Sequence, residues 1–200
     1  MYNKGNKYQI ILADCPWSYD DKMDNNPKYG GITYPTLKHE DLKALPIKDI
    51  ADKDCVLFFW TTMPMLEKAF DIINSWGFSY VTCAFTWIKT NPDGTGIRTG
   101  IGKWTNSNAE LCLLARIGKP KRIKTDVKQV IMAPIGRHSA KPSAVREKIV
   151  ELMGDKPRIE LFARSSKKLE NGWINIGNEV DGQDIRDSMV KIINGTYLDD

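Results

Sequence analysis

Tyr8-Gln9-Ile10-Ile11-Leu12-Ala13-Asp14-Cys15-Pro16-Trp17 is the stretch on which the reading of the chain turns. Residues 8–13 form a short apolar run and read as a strand buried on both faces, the kind found inside a parallel sheet. Pro16 has no N–H and biases Cys15 away from helix, so the strand stops at a rigid turn. The Asp14 carboxylate and the Trp17 ring are thereby presented at a strand's carboxyl end, where open α/β sheets place their ligands.

Beyond the turn, residues 18–33 are polar, with Pro27 and Gly30-Gly31, and predict a mobile loop whose position suits a lid. Thr36 to Leu45 predicts a short helix stopped by Pro46. Cys55 to Trp60 predicts a second buried strand. A helix follows from Pro64 to about Trp76, with Leu66, Ala69, Phe70 and Ile73 as its core face and Gly77 as its cap. Tyr80 to Lys89 predicts a third strand, with Val81, Cys83, Phe85 and Trp87 alternating onto one face. Asn91 to Ser107 is a second long loop, containing five residues that are Gly or Pro, along with Arg98, Lys103 and Trp104. Further strands are predicted over Glu110–Ala115, Val127–Pro134 and Arg158–Arg164, with a short extended piece at Trp173–Gly177. Pro142 to Met153 reads as a helix with Val145, Ile149 and Leu152 inward, and Asp184 to Asn194 as a final one. Strands alternating with helices give an α/β fold class with a mainly parallel sheet, and residues 1–200 are expected to form one domain.

Composition excludes more than it identifies. The 29 basic and 25 acidic residues give a net charge of +4, which permits a nucleic-acid partner without demanding one. Cys15, Cys55, Cys83 and Cys112 form no CxxC pair and read as reduced, mostly buried thiols of a cytosolic protein. With two histidines, His39 and His138, no metal site is expected. No signal peptide and no membrane-length apolar run is visible, so neither export nor membrane insertion is expected. The basic run Lys119, Lys121, Arg122 and Lys124 reads equally as a solvated loop or as a phosphate contact.

An acid, a proline two residues on and an aromatic just past a buried strand suit chemistry on the amino group of a base. The exocyclic amine of adenine is a poor nucleophile because its lone pair is delocalised into the ring. Two acceptors on its two hydrogens pull it toward tetrahedral geometry and aim the lone pair at an electrophile. Asp14 supplies one acceptor and the Cys15 backbone carbonyl, held by the Pro16 turn, the second. Trp17 offers a flat face, and such stacking is worth about 1–3 kcal/mol. Most of the rate would come from alignment, where roughly 7–11 kcal/mol is available. Taken alone, the four-residue string reads more readily as a plain turn ending a strand.

D-C-P-W resembles the D-P-P-W motif of the N6-adenine methyltransferase family that includes the catalytic subunit of the eukaryotic mRNA N6-adenosine methyltransferase and its bacterial and phage relatives. The resemblance continues, in order and at similar spacing, through L-F-F-W-T at 57–61, W-G-F at 76–78, T-W-I-K-T-N at 86–91, R-T-G at 98–100, K-P at 141–142, I-E-L-F-A-R at 159–164 and G-W-I-N-I-G-N-E at 172–179. It covers about residues 8 to 180.

The resemblance implies a Rossmann-like methyltransferase fold with helices on both faces of the sheet and a permuted order, the catalytic strand first. It implies S-adenosyl-L-methionine as cofactor. Asp14 and the Cys15 carbonyl would orient the amine, Pro16 would shape the turn and, with Asp14, approach the cofactor's methionine end, and Trp17 would stack on the base. Lys141, Phe162, Arg164, Asn178 and Glu179 match cofactor-binding positions, and Ser166 would reach the cofactor by its backbone. Tyr34 in T-Y-P-T-L resembles a lid tyrosine beside the base; Lys89, Arg98 and Trp104 fall where the family borders nucleic acid or a partner subunit. Without the resemblance, Lys141 reads as an ordinary helix-start residue, Arg164 as the partner of an acid, Asn178 as a cap and Tyr34 as loop packing. Trp60, Trp76 and Trp87 read as core.

Two departures stand out. Cys15 replaces the usual Pro, which keeps a carbonyl but loosens the turn, and Ser165, Ser166 and Lys167 do not match the polar residues of the eukaryotic enzyme. The chain begins just ahead of its first strand, as expected of a compact bacterial or phage enzyme working on DNA in the cytoplasm, alone, as a homodimer or with a partner subunit. The same chemistry on RNA and an inactive nucleic-acid-binding scaffold are the alternatives. A dinucleotide oxidoreductase is disfavoured, because no G-x-G-x-x-G follows the first strand.

Overall fold

The computed structural model describes residues 7–18, 35–100, 102, 104–136, 140–164 and 171–198. Its strands are β1 Tyr8–Ala13, β2 Ala51–Thr61, β3 Ser79–Thr90, β4 Ala109–Ile117, β5 Val130–Pro134, β6 Arg158–Leu161 and β7 Trp173–Ile176. Its helices are α1 His39–Lys43, α2 Leu66–Ser75, α3 Ala144–Met153, α4 Asn178–Asp181 and α5 Ile185–Asn194. The seven strands form one sheet in the order β5-β3-β4-β2-β1-β6-β7.

β1 lies in the interior, parallel to β2 on one side and to β6 on the other. Its alternation is strict even though both faces are buried. Ile11 and Ala13 join a cluster with Leu57 and Phe59 of β2, Ala69, Ile72 and Ile73 of α2, and Ile185 and Met189 of α5. Ile10 and Leu12 join the opposite cluster with Val56, Phe58 and Trp60 of β2 and Val145, Ile149 and Met153 of α3. Helices therefore cover both faces, and a strand sandwiched this way needs an unbroken apolar sequence.

The sheet is mainly parallel, with one reversed strand inside it. β4 runs antiparallel to β2 and to β3, while β3 pairs with β5 and β6 with β7 in parallel. The chain after β3 turns straight back: Thr90 pairs with Ile97 and Gly100 with Ser107, both antiparallel. No crossover helix is available there, so the return is a hairpin.

The expected single face of Val81, Cys83, Phe85 and Trp87 is interrupted. Register against β4 slips between Tyr80 and Thr82 and again between Cys83 and Phe85. Each slip inserts a residue and turns the next side chain to the other face. Cys83 consequently packs toward the α2 side, Phe85 and Trp87 toward the α3 side, and Val81 is left exposed. The helix expected over 36–45 is confined to α1, since the chain at Leu37 is held extended by a parallel bridge to Trp17. The predicted strand at 127–134 begins only at Val130, and the one at 158–164 stops at Leu161. Phe162 ends the latter with a left-handed φ of 61°, the single such non-glycine conformation among the described residues. α2 buries Ala69, Ile72 and Ile73 while the expected Leu66 and Phe70 are only partly buried, and α3 buries Val145, Ile149 and Met153 while the expected Leu152 is only partly buried.

Candidate active site

Strand parity collects the charged groups on the α3 side of the sheet. Asp14 continues the face of Leu12, Lys89 that of Trp87, and Glu110 precedes Cys112 by two residues on β4. Glu160 of β6 lies directly beside Leu12. Lys141 arrives from the segment ahead of α3 and completes the arrangement. Its Nζ donates to both oxygens of Asp14, at 2.8 and 2.7 Å, and stands 3.3 Å from Glu110 Oε2. Lys89 Nζ donates to Glu110 Oε1 at 2.5 Å. The outcome is a row of alternating sign, Asp14–Lys141–Glu110–Lys89, in which two carboxylates balance two ammoniums. Trp60 and Trp87 line its flank, with the Lys141 and Lys89 nitrogens 5.8 and 5.2 Å from the respective ring centroids.

Burial tends to neutralise such groups, and opposite charges resist it. For Glu110, burial pushes the carboxyl up, but the Lys141 and Lys89 ammoniums outweigh it and hold it below the ordinary range. For Lys141, burial favours the neutral amine, yet Asp14 and Glu110 together raise its pKa well above normal. Lys141 is therefore a fixed cation and not a proton acceptor. Cys15 is buried, and burial followed by the nearby Asp14 charge pushes its thiol well up, so it is no nucleophile.

Two clefts of about 210 Å³ each meet at Asp14. One contains Lys141, Trp60, Arg146 and Glu160; the other contains Pro16, Asn178 and Glu179; Asp14, Phe162 and Arg164 line both. Arg146 Nε lies 2.5 Å from Glu160 Oε2, and Arg164 Nε 3.4 Å from Glu179 Oε1. The left-handed turn at Phe162 lies against Gly177: a Cβ there would sit 2.6 Å from the Ala163 carbonyl oxygen, so only glycine allows the two segments this approach. Asn178 and Glu179 open α4 immediately after it.

The expected cofactor residues Asp14, Pro16, Lys141, Phe162, Arg164, Asn178 and Glu179 thus gather around two joined clefts. The expected substrate residues are placed less uniformly. Trp17, five per cent exposed, sits edge-on to Phe59 with ring centroids 5.9 Å apart. Its odd parity sends it to the α2 side with Ala13 and Cys15, so the ring anchors the turn and leaves no open stacking face in this conformation. The Cys15 carbonyl accepts from the Trp17 N–H at 2.9 Å, which leaves one lone pair. Lys89 is committed to Glu110. Arg98 and the fully exposed Trp104 are absent from both cleft linings. Tyr34, Ser166 and most of the predicted lid lie outside the described residues.

Glu110, Glu160 and Arg146 were not singled out by the motifs. Their signal was present: a lone acid inside an apolar strand, A-E-L-C-L-L and R-I-E-L-F, requires a buried cation.

A largely parallel sheet with helices on both faces, its interior first strand ending on a lysine-held acid between two clefts, is a Rossmann-like methyltransferase arrangement. More narrowly, the chain belongs to the MT-A70 family, whose model matches residues 8–179. It is 35% identical over 194 residues to the type II methyltransferase M.MunI of a Mycoplasma species, covering 87% of this chain and 78% of that protein. It is 33% identical over 178 residues to the human N(6)-adenosine-methyltransferase catalytic subunit METTL3, covering 88% of this chain but 29% of that protein. The mouse N(6)-adenine-specific methyltransferase METTL4 is 26% identical over 199 residues, or 90% of this chain and 39% of its own length. No helix among the described residues is long and apolar enough to cross a membrane.

Proposed function

We propose that this chain is an S-adenosyl-L-methionine-dependent methyltransferase that modifies N6 of adenine in DNA, with the base turned out of the stack into the site. The observation that carries the reading is Asp14, placed at the carboxyl end of an interior strand, held by Lys141 and lining both clefts. The relative matched over most of both chains is named a type II methyltransferase, whereas the human relative named for adenosine is matched over under a third of its length. That balance supports DNA over RNA.

The donor set suits the cofactor. Lys141 offers a cation for a carboxylate, Asp14 an anion for an ammonium, Asn178 and Glu179 polar partners for a ribose diol, and Phe162 an apolar surface for an adenine ring. The indole N–H of Trp60 is buried in the same region without an acceptor among the described residues. Bound there, S-adenosyl-L-methionine supplies a methyl group activated by a sulfonium. The protein's part is alignment. Asp14 accepts one hydrogen of the exocyclic amine and the remaining lone pair of the Cys15 carbonyl accepts the other, which turns the nitrogen lone pair toward the methyl. The nitrogen becomes acidic as it is alkylated, and its proton leaves to Asp14 or onward to water. Lys141, locked as a cation, fixes the Asp14 carboxylate throughout.

The test is transfer of labelled methyl from S-adenosyl-L-methionine onto unmethylated duplex DNA, single-stranded DNA and RNA, read as modified nucleosides. N6-methyladenine from DNA, reduced at least a thousandfold in Asp14→Ala, is the expected result (about 4 kcal/mol of barrier). Product from RNA alone would transfer the reading to RNA. Neither product nor saturable cofactor binding would leave a scaffold.

A further inference from the structure

A third cavity, of about 430 Å³, lies on the α3 side of the sheet, away from Asp14, and shares no lining residue with either cleft. Val81, Leu114, Val127 and Leu152 supply its accessible apolar floor, backed by the buried Val56, Phe85 and Met153, and the exposed Arg116, Arg122 and Gln129 rim it. Its size is that of a small-molecule site, where apolar walls carry a few fixed polar groups. No acidic residue is among those lining it.

Two arginines on one cavity, neither with a carboxylate partner, are the feature that distinguishes this lining. Arg146, Arg158, Arg164 and Arg186 each have a carboxylate partner. Among the described residues the exposed Arg98, Arg116 and Arg122 have none, and the last two border one cavity. Two guanidiniums without a carboxylate partner on the lining of one cavity offer planar forks to an anion. Gln129 Nε2 is committed to the Cys83 carbonyl at 2.6 Å, which fixes its amide and leaves its oxygen as an acceptor at the rim. Arg122 also belongs to the basic run at 119–124, whose Lys124 is neutralised by Glu151 while Arg122 is not.

We propose that this cavity binds a nucleoside phosphate, with Arg116 and Arg122 on the phosphate and the base on the apolar floor. The phosphate is the part that suits two guanidiniums, and the flat, weakly polar base suits the accessible apolar surface of Val81, Leu114 and Leu152. Such a group can be a free nucleotide or a terminal nucleotide of a polymer, and the experiment separates the two.

The full chain is titrated calorimetrically with deoxycytidine 5′-monophosphate, whose base is not the one proposed for the Asp14 site. Saturable one-to-one binding is expected, retained in Asp14→Ala and weakened at least tenfold in the Arg116→Ala/Arg122→Ala double variant. Deoxycytidine without phosphate should bind at least tenfold more weakly than the nucleotide. Thr125→Trp, which fills the mouth while keeping both arginines, should also abolish binding, and unchanged melting temperatures would show that every variant is folded. A 5′-phosphorylated oligocytidine that competes marks a polymer end as the source; failure to compete marks the free nucleotide. Absence of saturation at millimolar nucleotide, equal affinity in the double variant, equal affinity for the bare nucleoside, or loss of binding in Asp14→Ala would each overturn the proposal.

Discussion

Glu110 and Glu160 are two largely buried carboxylates in apolar strands on the same face of one sheet; burial pushes both up, yet their net pKa shifts are opposite. Glu110 stands between two ammoniums and its pKa falls below normal despite burial. Glu160 has a single bonded guanidinium, from Arg146; burial is the larger influence, the Asp14 charge adds to it against the more distant Lys141, and its pKa rises. One bonded cation does not offset burial and the Asp14 charge at Glu160, whereas two bonded cations offset burial at Glu110. The difference separates a carboxylate that organises a site from one that merely tolerates its position, and it can be tested from either side.

The largest effect is expected for Lys141→Met, which removes the cation shared by Asp14 and Glu110. Breaking a buried pair in this way costs about 3–5 kcal/mol, read from urea unfolding. It also leaves Glu110 with one cation, so its pKa should move to the high side, as that of Glu160 does; carboxyl carbon shifts followed against pH would report this. An unchanged Glu110 titration would break the counting argument.

Glu110→Gln should cost about 3 kcal/mol at neutral pH, the low end for a buried pair because Lys89 and Lys141 keep some solvent contact. The pH dependence fixes the sign. With a folded pKa below the ordinary value of about 4.3, the Glu110 contribution is complete above that value and is lost as pH falls through the folded pKa. The variant should therefore lose less stability on acidification than the parent.

Glu160→Gln is expected to change stability by about 1 kcal/mol or less, since the amide retains an acceptor for Arg146. Here the limb reverses. With a raised folded pKa, the favourable contribution of Glu160 is present below about 4.3 and lost as pH rises through the folded value, so the variant should gain on the parent over that interval. Parallel pH profiles for the two glutamine variants would contradict the comparison most directly.

What the sequence made legible was local. An unbroken apolar run announced β1, Pro16 announced its end, and the tryptophans Trp60, Trp76 and Trp87, read as core, are each one per cent exposed or less. The gathering of Lys141, Arg164, Asn178 and Glu179 near Asp14 was legible only through the family resemblance that the ordered motifs carry, and not through any single residue. The rest depended on pairings between distant strands. Nothing in A-E-L-C-L-L-A-R-I says that β4 is reversed, and nothing in S-Y-V-T-C-A-F says that two residues are inserted against it. Trp17 was legible as an aromatic at the turn, but its direction followed from counting by twos from Ala13, which places it with Phe59.

The reversed strand has a consequence for how such a protein can vary. Because β4 turns back beside β3, the stretch between them, residues 91–108, leaves and rejoins the sheet at neighbouring points next to Lys89 and Glu110. A connection closed on itself in this way tolerates changes of length cheaply, at about 0.6 kcal/mol for each doubling. Crossover segments have no such freedom, since they must carry a helix across a face of the sheet. Changes of length around Trp104 can therefore be accommodated while the row from Asp14 to Lys89 keeps its register, which separates the charged frame from the surface built on that single hairpin.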